Sequence, residues 1–196
     1  MIEIKFNIDV WLVSMLDLLI YFIFYFFAGL TLKIGDDLLD ELYRSNLSWI
    51  PLTVSGTLFG LLMANSEWDF VLFSAIVIGV ILSGKVNRRE FLAGFVAIAA
   101  VLLLLGLPTV TDWLGWSTLL IALMLAAILD EKGNNWADER VSPRAYRFFS
   151  YRMTMKFSAL LLSIPWPGFF LSAIGLWIFD TGYEIAKLLI QRLYQS

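Results

Sequence analysis

The sequence predicts an all-α membrane protein, a polytopic bundle of transmembrane helices that forms a single domain over residues 1–196. The first indication is composition, because the chain is 60% hydrophobic and 16% charged, with a mean hydropathy of +0.79. Soluble domains of this length are less apolar and carry more charge. The second indication is that the apolar residues gather in long uncharged runs. The third is that basic residues fall in alternate loops between those runs.

Seven apolar segments are predicted to cross the bilayer, each approaching the roughly 20 residues that a crossing needs. The first five are residues 10–32, 49–64, 70–83, 91–107 and 113–129. The stretch 145–190 is either one kinked helix, over 157–179, or two helices that meet at the sequence Pro-Trp-Pro-Gly of residues 165–168. Two helices are favoured, because prolines inside one helix are costly and this sequence is typical of a turn. Seven helices are therefore preferred over six.

The basic residues orient this bundle. The loops around 65–69 and 108–112 contain no lysine or arginine. The basic residues that follow the first, third and fifth segments are Lys33, Arg44, Lys85, Arg88, Arg89, Lys132, Arg140, Arg144 and Arg147. Because cytoplasmic loops carry the excess of positive charge, the pattern predicts that the N-terminus lies outside and that these loops lie in the cytoplasm.

Composition also excludes several classes of chemistry. The chain has no cysteine and no histidine, which excludes disulfides, thiol chemistry, cysteine- or histidine-bound metals and serine–histidine nucleophile pairs. The net charge of −3 gives no basic surface for nucleic acid. Any catalysis is therefore expected to use carboxylates, lysine, arginine, tyrosine, serine or a hard cation that carboxylates hold.

Four acidic residues follow the first apolar segment. Asp36 and Asp40 are four residues apart, as are Asp37 and Glu41, so a helix that continues here stacks carboxylates on one side. Clustered carboxylates are stabilised by a hard divalent cation such as Mg²⁺. The alternative is a solvated acidic helix end, although negative charge at a helix C-terminus opposes the macrodipole.

A second group of oxygen ligands follows the fifth apolar segment. Asp130, Asn134 and Asp138 share one face if that helix continues, and asparagine supplies a neutral oxygen. The predicted topology places both groups on the cytoplasmic side. Between them in the sequence lie three basic residues, Lys85, Arg88 and Arg89. Carboxylates, Mg²⁺ and cations that converge suit a diphosphate, so we expect the basic residues to bind one.

Polar residues are also predicted inside the bilayer. Asp17 and Tyr21 lie on one face of the first helix, and an intramembrane acid is expected to face the bundle interior. It forms either a hydrogen bond to a neighbouring helix or part of a functional site.

If the last two helices form a hairpin about residues 166–167, two cations lie opposite two acids. These are Arg152 and Lys156 on one helix, and Asp180 and Glu184 on the other. A charge-paired hairpin is slightly favoured over the polar wall of a cavity.

These motifs resemble those of the UbiA superfamily of intramembrane prenyltransferases over roughly residues 10–140. Asp36, Asp37 and Asp40 look like the first Asp-rich motif, and residues 130–138 look like the second. Lys85, Arg88 and Arg89 occupy the corresponding basic loop. For a shortened or divergent member, the resemblance implies that the two motifs bind Mg²⁺ and the diphosphate of a prenyl donor at the cytoplasmic face.

Two other functions stay open at this stage. A transporter or channel would line its path with Asp17 and the charged residues of the last two helices, although a permeation route usually needs polar groups through its full depth. A non-catalytic scaffold would direct both acidic groups outward toward a partner.

Overall fold

The computed structural model describes residues 8–40, 45–84, 86, 88–139 and 143–195, without the side chains of residues 8–14, 138 and 193–195. All regular structure in this part of the chain is helical, which confirms the all-α prediction. Two short 3-10 turns occur, at Arg89–Phe91 and Pro167–Phe169. The α-helices are α1 (Ile8–Asp40), α2 (Ser45–Asn65), α3 (Glu67–Leu82), α4 (Leu92–Leu105), α5 (Trp113–Glu139), α6 (Pro143–Ser150), α7 (Met153–Leu162) and α8 (Phe170–Gln195).

Four of these helices are long and apolar enough to cross a membrane, and the protein is accordingly an integral membrane protein. The crossing segments are Met15–Asp40, Ser45–Asn65, Trp113–Ala137 and Pro167–Arg192. The other predicted crossings, α3, α4 and α7, have 16, 14 and 10 residues. At a rise of 1.5 Å per residue they are about 24, 21 and 15 Å long, shorter than a hydrocarbon core of about 30 Å.

The helices pack around an aromatic centre. α1 lies against α2 and α8, α4 packs on α2, and α5 contacts α3, α6 and α7. The rings of Phe59 and Phe73 are 4.4 Å apart between centroids, and those of Phe59 and Phe179 are 5.7 Å apart. Outward-facing leucines such as Leu103, 86% exposed, cover the outside of the bundle. Exposed apolar side chains of this kind are suited to lipid.

Glycines bring α1 and α8 into backbone contact. A Cβ atom at Gly29 would meet the carbonyl oxygen of Phe179, and one at Gly182 would meet the carbonyl oxygen of Phe26. Small residues allow this close approach between membrane helices. The contact fixes the register of α8 on α1, and so the depth at which their polar residues meet.

The chain breaks between α7 and α8 at the predicted position. α7 ends at Leu162, a 3-10 turn forms at Pro167–Phe169, and α8 begins at Phe170. The described residues of both acidic groups are helical, because α1 continues to Asp40 and α5 to Glu139. The condition under which their side chains share a helix face is therefore met for these residues.

Candidate functional site

Two carboxylates of the first acidic group share a cation from their own helix. Lys33 Nζ lies 3.1 Å from Asp36 Oδ2 and 2.6 Å from Asp37 Oδ1, at the i,i+3 and i,i+4 spacings of neighbours on a helix. Asp37 is buried, whereas Asp40 points to the surface with 62% of its side chain exposed. Glu41 lies outside the described residues. The cation beside Asp36 and Asp37 in the structure is thus a lysine, which the sequence analysis did not consider.

One residue of the basic loop, Arg88, lies near the first acidic group. Arg88 Nη2 is 3.9 Å from Asp40 Oδ1, and both side chains are largely exposed. Arg89 points away, with 85% of its side chain exposed and its Nε 4.0 Å from the neighbouring Glu90. Lys85 lies outside the described residues. Of the three predicted diphosphate ligands, only Arg88 is seen beside an acidic residue of α1.

The second acidic group has a role in the fold. Asp130 Oδ1 accepts a hydrogen bond from the backbone N–H of Thr154 at 3.1 Å, and Oδ2 accepts one from Met155 at 2.8 Å. These amides belong to the first turn of α7, where helical N–H groups have no partner within the helix. Asp130 therefore caps α7 from α5. Asn134 Oδ1 is buried without a hydrogen-bond partner among the described residues, and the side chain of Asp138 is not described.

Arg152 is within electrostatic reach of acidic residues on three helices. It precedes α7 with a φ of 50°, in the left-handed region, and its guanidinium is 4.5 Å from the centre of the Tyr183 ring. Burial alone would lower the pKa of Arg152, but the net shift is upward. The groups that raise this pKa are Tyr183, Asp180, Glu131 and Asp36. Carboxylates from α1, α5 and α8 thus act on one cation.

Tyr183 connects Arg152 to the end of α1. Its hydroxyl donates to Asp36 Oδ2 at 3.4 Å, and Lys33 Nζ is 5.2 Å from its ring centre. The ring is therefore flanked by two cations, which its negative face attracts. Tyr183 was not among the predicted site residues, although its position three residues after Asp180 on the same helix was a usable signal.

The hairpin of α7 and α8 pairs its charges in part. Lys156 Nζ contacts Asp180 Oδ2, as the hairpin register predicts, and both side chains are buried. Glu184 instead lies 3.9 Å from Lys187 on its own helix. We call Lys33, Asp36, Asp37, Arg152, Lys156, Asp180 and Tyr183 together the charged cluster. It joins the last turns of α1 to the middle of α8 and the start of α7.

No protein-family model, curated protein sequence or solved structure matches this chain. The resemblance to prenyltransferases therefore stays a prediction that rests on the motifs.

A second polar group lies near the first turns of α3 and α8. Asp69 is fully buried, and its Oδ1 accepts hydrogen bonds from Tyr21 at 2.8 Å, Tyr25 at 2.5 Å and Ser172 at 2.5 Å. We call these four residues the Asp69 cluster. Asp17, which was expected to face the interior, is exposed instead. The acid that Tyr21 and Tyr25 contact comes from α3, one residue before the segment that the sequence analysis placed in the membrane.

Proposed function

We propose that the charged cluster binds the diphosphate of a prenyl lipid, in the manner of an intramembrane prenyltransferase related to the UbiA superfamily. The observation that supports this proposal is the position of Arg152. Asp36 of the first acidic group influences it electrostatically, and so does Glu131, the residue next to Asp130 of the second group. A guanidinium donates several hydrogen bonds in a planar fork that matches phosphate oxygens. Its place within electrostatic reach of both residues provides one location for a shared anionic ligand.

The proposed topology has seven crossings, with the N-terminus outside and the charged cluster at the cytoplasmic face. The distribution of lysine and arginine supports this orientation. The shorter α3, α4 and α7 would complete their crossings together with adjoining residues, such as the turns at Arg89–Phe91 and Pro167–Phe169. A prenyl donor would then place its diphosphate at the cytoplasmic end and its tail among the helices.

Magnesium fits this site in combination with a diphosphate. Among the described residues, no three acidic side chains converge closely enough to hold a metal by themselves. Mg²⁺ commonly uses one or two carboxylates and completes its coordination with substrate phosphates and water. Asp36 and Asp40 suit this role, because they lie one turn apart with 29% and 62% of their side chains exposed. Bound Mg²⁺ would neutralise diphosphate charge and assist departure of the diphosphate.

The remaining predicted metal ligands have other contacts or lie on the α5 side. Asp37 binds Lys33, and both oxygens of Asp130 accept α7 amides. Asn134, whose Oδ1 is buried on the same helix as Asp130, is the α5 residue that we assign to the diphosphate site, and Asp138 stays a prediction from the sequence. Lys33, Arg88 and Arg152 would supply positive charge to the diphosphate and its leaving group.

The transporter and scaffold alternatives have less support. Phe59, Phe73 and Phe179 form an aromatic layer, and Phe179 immediately precedes Asp180 of the charged cluster. The ring of Tyr25, in the Asp69 cluster, lies 5.2 Å from that of Phe73 between centroids. A permeation path would have to cross this layer. A scaffold would expose its charges, whereas Asp37, Lys156 and Asp180 are buried.

A binding experiment tests the proposal. The full chain, purified in an uncharged detergent, would be titrated with geranylgeranyl diphosphate with and without Mg²⁺. We expect Mg²⁺-dependent binding that Asp36→Asn weakens about tenfold, because a ligand to the metal and a charge are lost. Asp17→Asn is the matched control, since Asp17 is an exposed acid on the same helix. If wild type shows no Mg²⁺-dependent binding, or Asp36→Asn binds as wild type does, the proposal fails.

A further inference from the structure

The short helix α6 forms an open crevice with the residues that follow it in the chain. The crevice has a volume of about 430 Å³ and is lined by Pro143, Arg144, Arg147, Phe148, Tyr151 and Met153. None of these residues belongs to the charged cluster, and the proposed prenyl diphosphate site does not use them. We call this feature the α6 crevice.

α6 lies at the boundary of the membrane. α6 packs against α5, where the ring of Phe149 lies over Gly133 so closely that a Cβ on the glycine would be 2.5 Å from Phe149 Cδ1. Gly133 is one turn after Leu129, where the uncharged apolar run of α5 ends, and it directly follows three charged residues, Asp130, Glu131 and Lys132. The α6 crevice therefore lies at the depth of lipid headgroups, on whichever side of the bilayer that end of α5 emerges.

The chemistry of the crevice is cationic and aromatic. Arg144 and Arg147 are exposed and one turn apart, and they form no ion pair with any acidic side chain that the structure describes. Phe148 and Tyr151 are 42% and 38% exposed beside them. Paired arginines match the oxygens of a phosphate, and neighbouring aromatic side chains favour the interface between headgroups and acyl chains.

We propose that the α6 crevice binds the headgroup phosphate of an anionic phospholipid. Arg144 and Arg147 would bind the phosphate oxygens, and the first carbons of the acyl chains would pack on Phe148 and Met153. Charge complementarity supports this occupant, since the described lining contains two cations and no carboxylate. An amphipathic helix with arginines beside exposed aromatics is typical of segments that lie in the membrane interface. The bound lipid would attach α6 to the leaflet.

Native mass spectrometry of the full chain in an uncharged detergent tests this proposal. Dioleoyl phosphatidylglycerol is expected to bind more tightly than dioleoyl phosphatidylcholine. Each arginine near an anionic surface contributes about a fivefold gain in affinity, so the double variant Arg144→Gln/Arg147→Gln should bind phosphatidylglycerol about 25-fold more weakly. Arg192→Gln is the matched control, because Arg192 is an exposed arginine in the last turns of α8. It should leave the affinity unchanged.

Three results would overturn the proposal. The first is equal affinity of wild type and the double variant for phosphatidylglycerol, and the second is equal affinity of wild type for the two lipids. The third is binding of soluble glycerol 1-phosphate as tightly as phosphatidylglycerol, which would indicate a free-phosphate site. Both arginines are exposed, so the double variant is expected to fold, and circular dichroism checks this. Its affinity for geranylgeranyl diphosphate should match wild type, which separates this test from that of the charged cluster.

Discussion

Lys156 of α7 and Asp180 of α8 form an ion pair in which only 6% and 7% of the side chains are exposed. The Lys156 ammonium also lies 5.2 Å from the centre of the Trp177 ring. Charges this deeply buried are maintained only with partners, because desolvation of a lone charge is expensive. The pair therefore joins the two helices at a fixed register.

Removal of one partner is expected to be strongly destabilising. Lys156→Met leaves the Asp180 carboxylate buried without its cation, and we expect the free energy of unfolding to fall by about 3–5 kcal/mol. The double variant Lys156→Met/Asp180→Leu should recover most of this loss, since neither charge remains. Thermal unfolding in detergent measures both. Lys187→Met is the control, because Lys187 is 38% exposed and 3.9 Å from Glu184. A double variant no more stable than Lys156→Met would contradict this account.

Loss of the Asp130 carboxylate should loosen the start of α7. Asp130→Ala leaves the N–H groups of Thr154 and Met155 without their acceptors. We expect a loss of about 1–2 kcal/mol, the usual cost of a lost N-terminal cap. Hydrogen–deuterium exchange should show faster exchange at these two amides. Asp112→Ala is a reciprocal control, because Asp112 Oδ1 accepts from the N–H of Gly115 at 3.0 Å near the start of α5. If hydrogen–deuterium exchange at the start of α7 is the same in Asp130→Ala as in wild type, the Asp130 carboxylate does not stabilise that helix end.

Substitutions of Asp69 are expected to destabilise the protein to different degrees. Asp69→Ala removes the acceptor of three hydroxyls, those of Tyr21, Tyr25 and Ser172. Buried groups that lose a partner cost about 1–3 kcal/mol each, so a loss of at least about 3 kcal/mol is expected. Asp69→Asn keeps an acceptor oxygen and should lose less. Melting temperatures compare them with Asp17→Ala, which should resemble wild type because Asp17 is exposed. Equal melting of Asp69→Ala and Asp17→Ala would reject a stabilising role for the cluster.

The features that could be predicted from sequence are those that local chemistry determines. Long apolar runs require helices in a bilayer, because backbone groups there have no water to bind. The prolines at 165 and 167 exclude one continuous helix, and a turn at this position places residue 156 near residue 180. The contact between Lys156 and Asp180 follows from those two facts.

The features that could not be predicted depend on how each helix is rotated about its axis. α1 is apolar around most of its circumference, so its sequence did not distinguish Asp17, which faces outward, from Tyr25, which faces inward. The neighbours determine this rotation, through contacts such as that of Gly29 with Phe179. Asp69 was assigned to a loop because the third predicted membrane segment begins at the next residue, Phe70. The pairing of Lys33 with Asp36 and Asp37 was visible in their spacing, but the acidic residues alone were considered.

The glycine contacts between α1 and α8 have a consequence for biogenesis. During synthesis α1 reaches the membrane before any other helix of the bundle, whereas the partner that packs on Gly29 follows α2 to α7. The polar end of α1 must therefore be tolerated before α8 arrives. The pairing of Lys33 with Asp36 and Asp37 within the same helix helps here, because one of these two negative charges is offset from the time α1 forms. A mutation of Lys33 that leaves the finished bundle intact can then still lower yield, because α1 would meet the insertion machinery with both charges uncompensated.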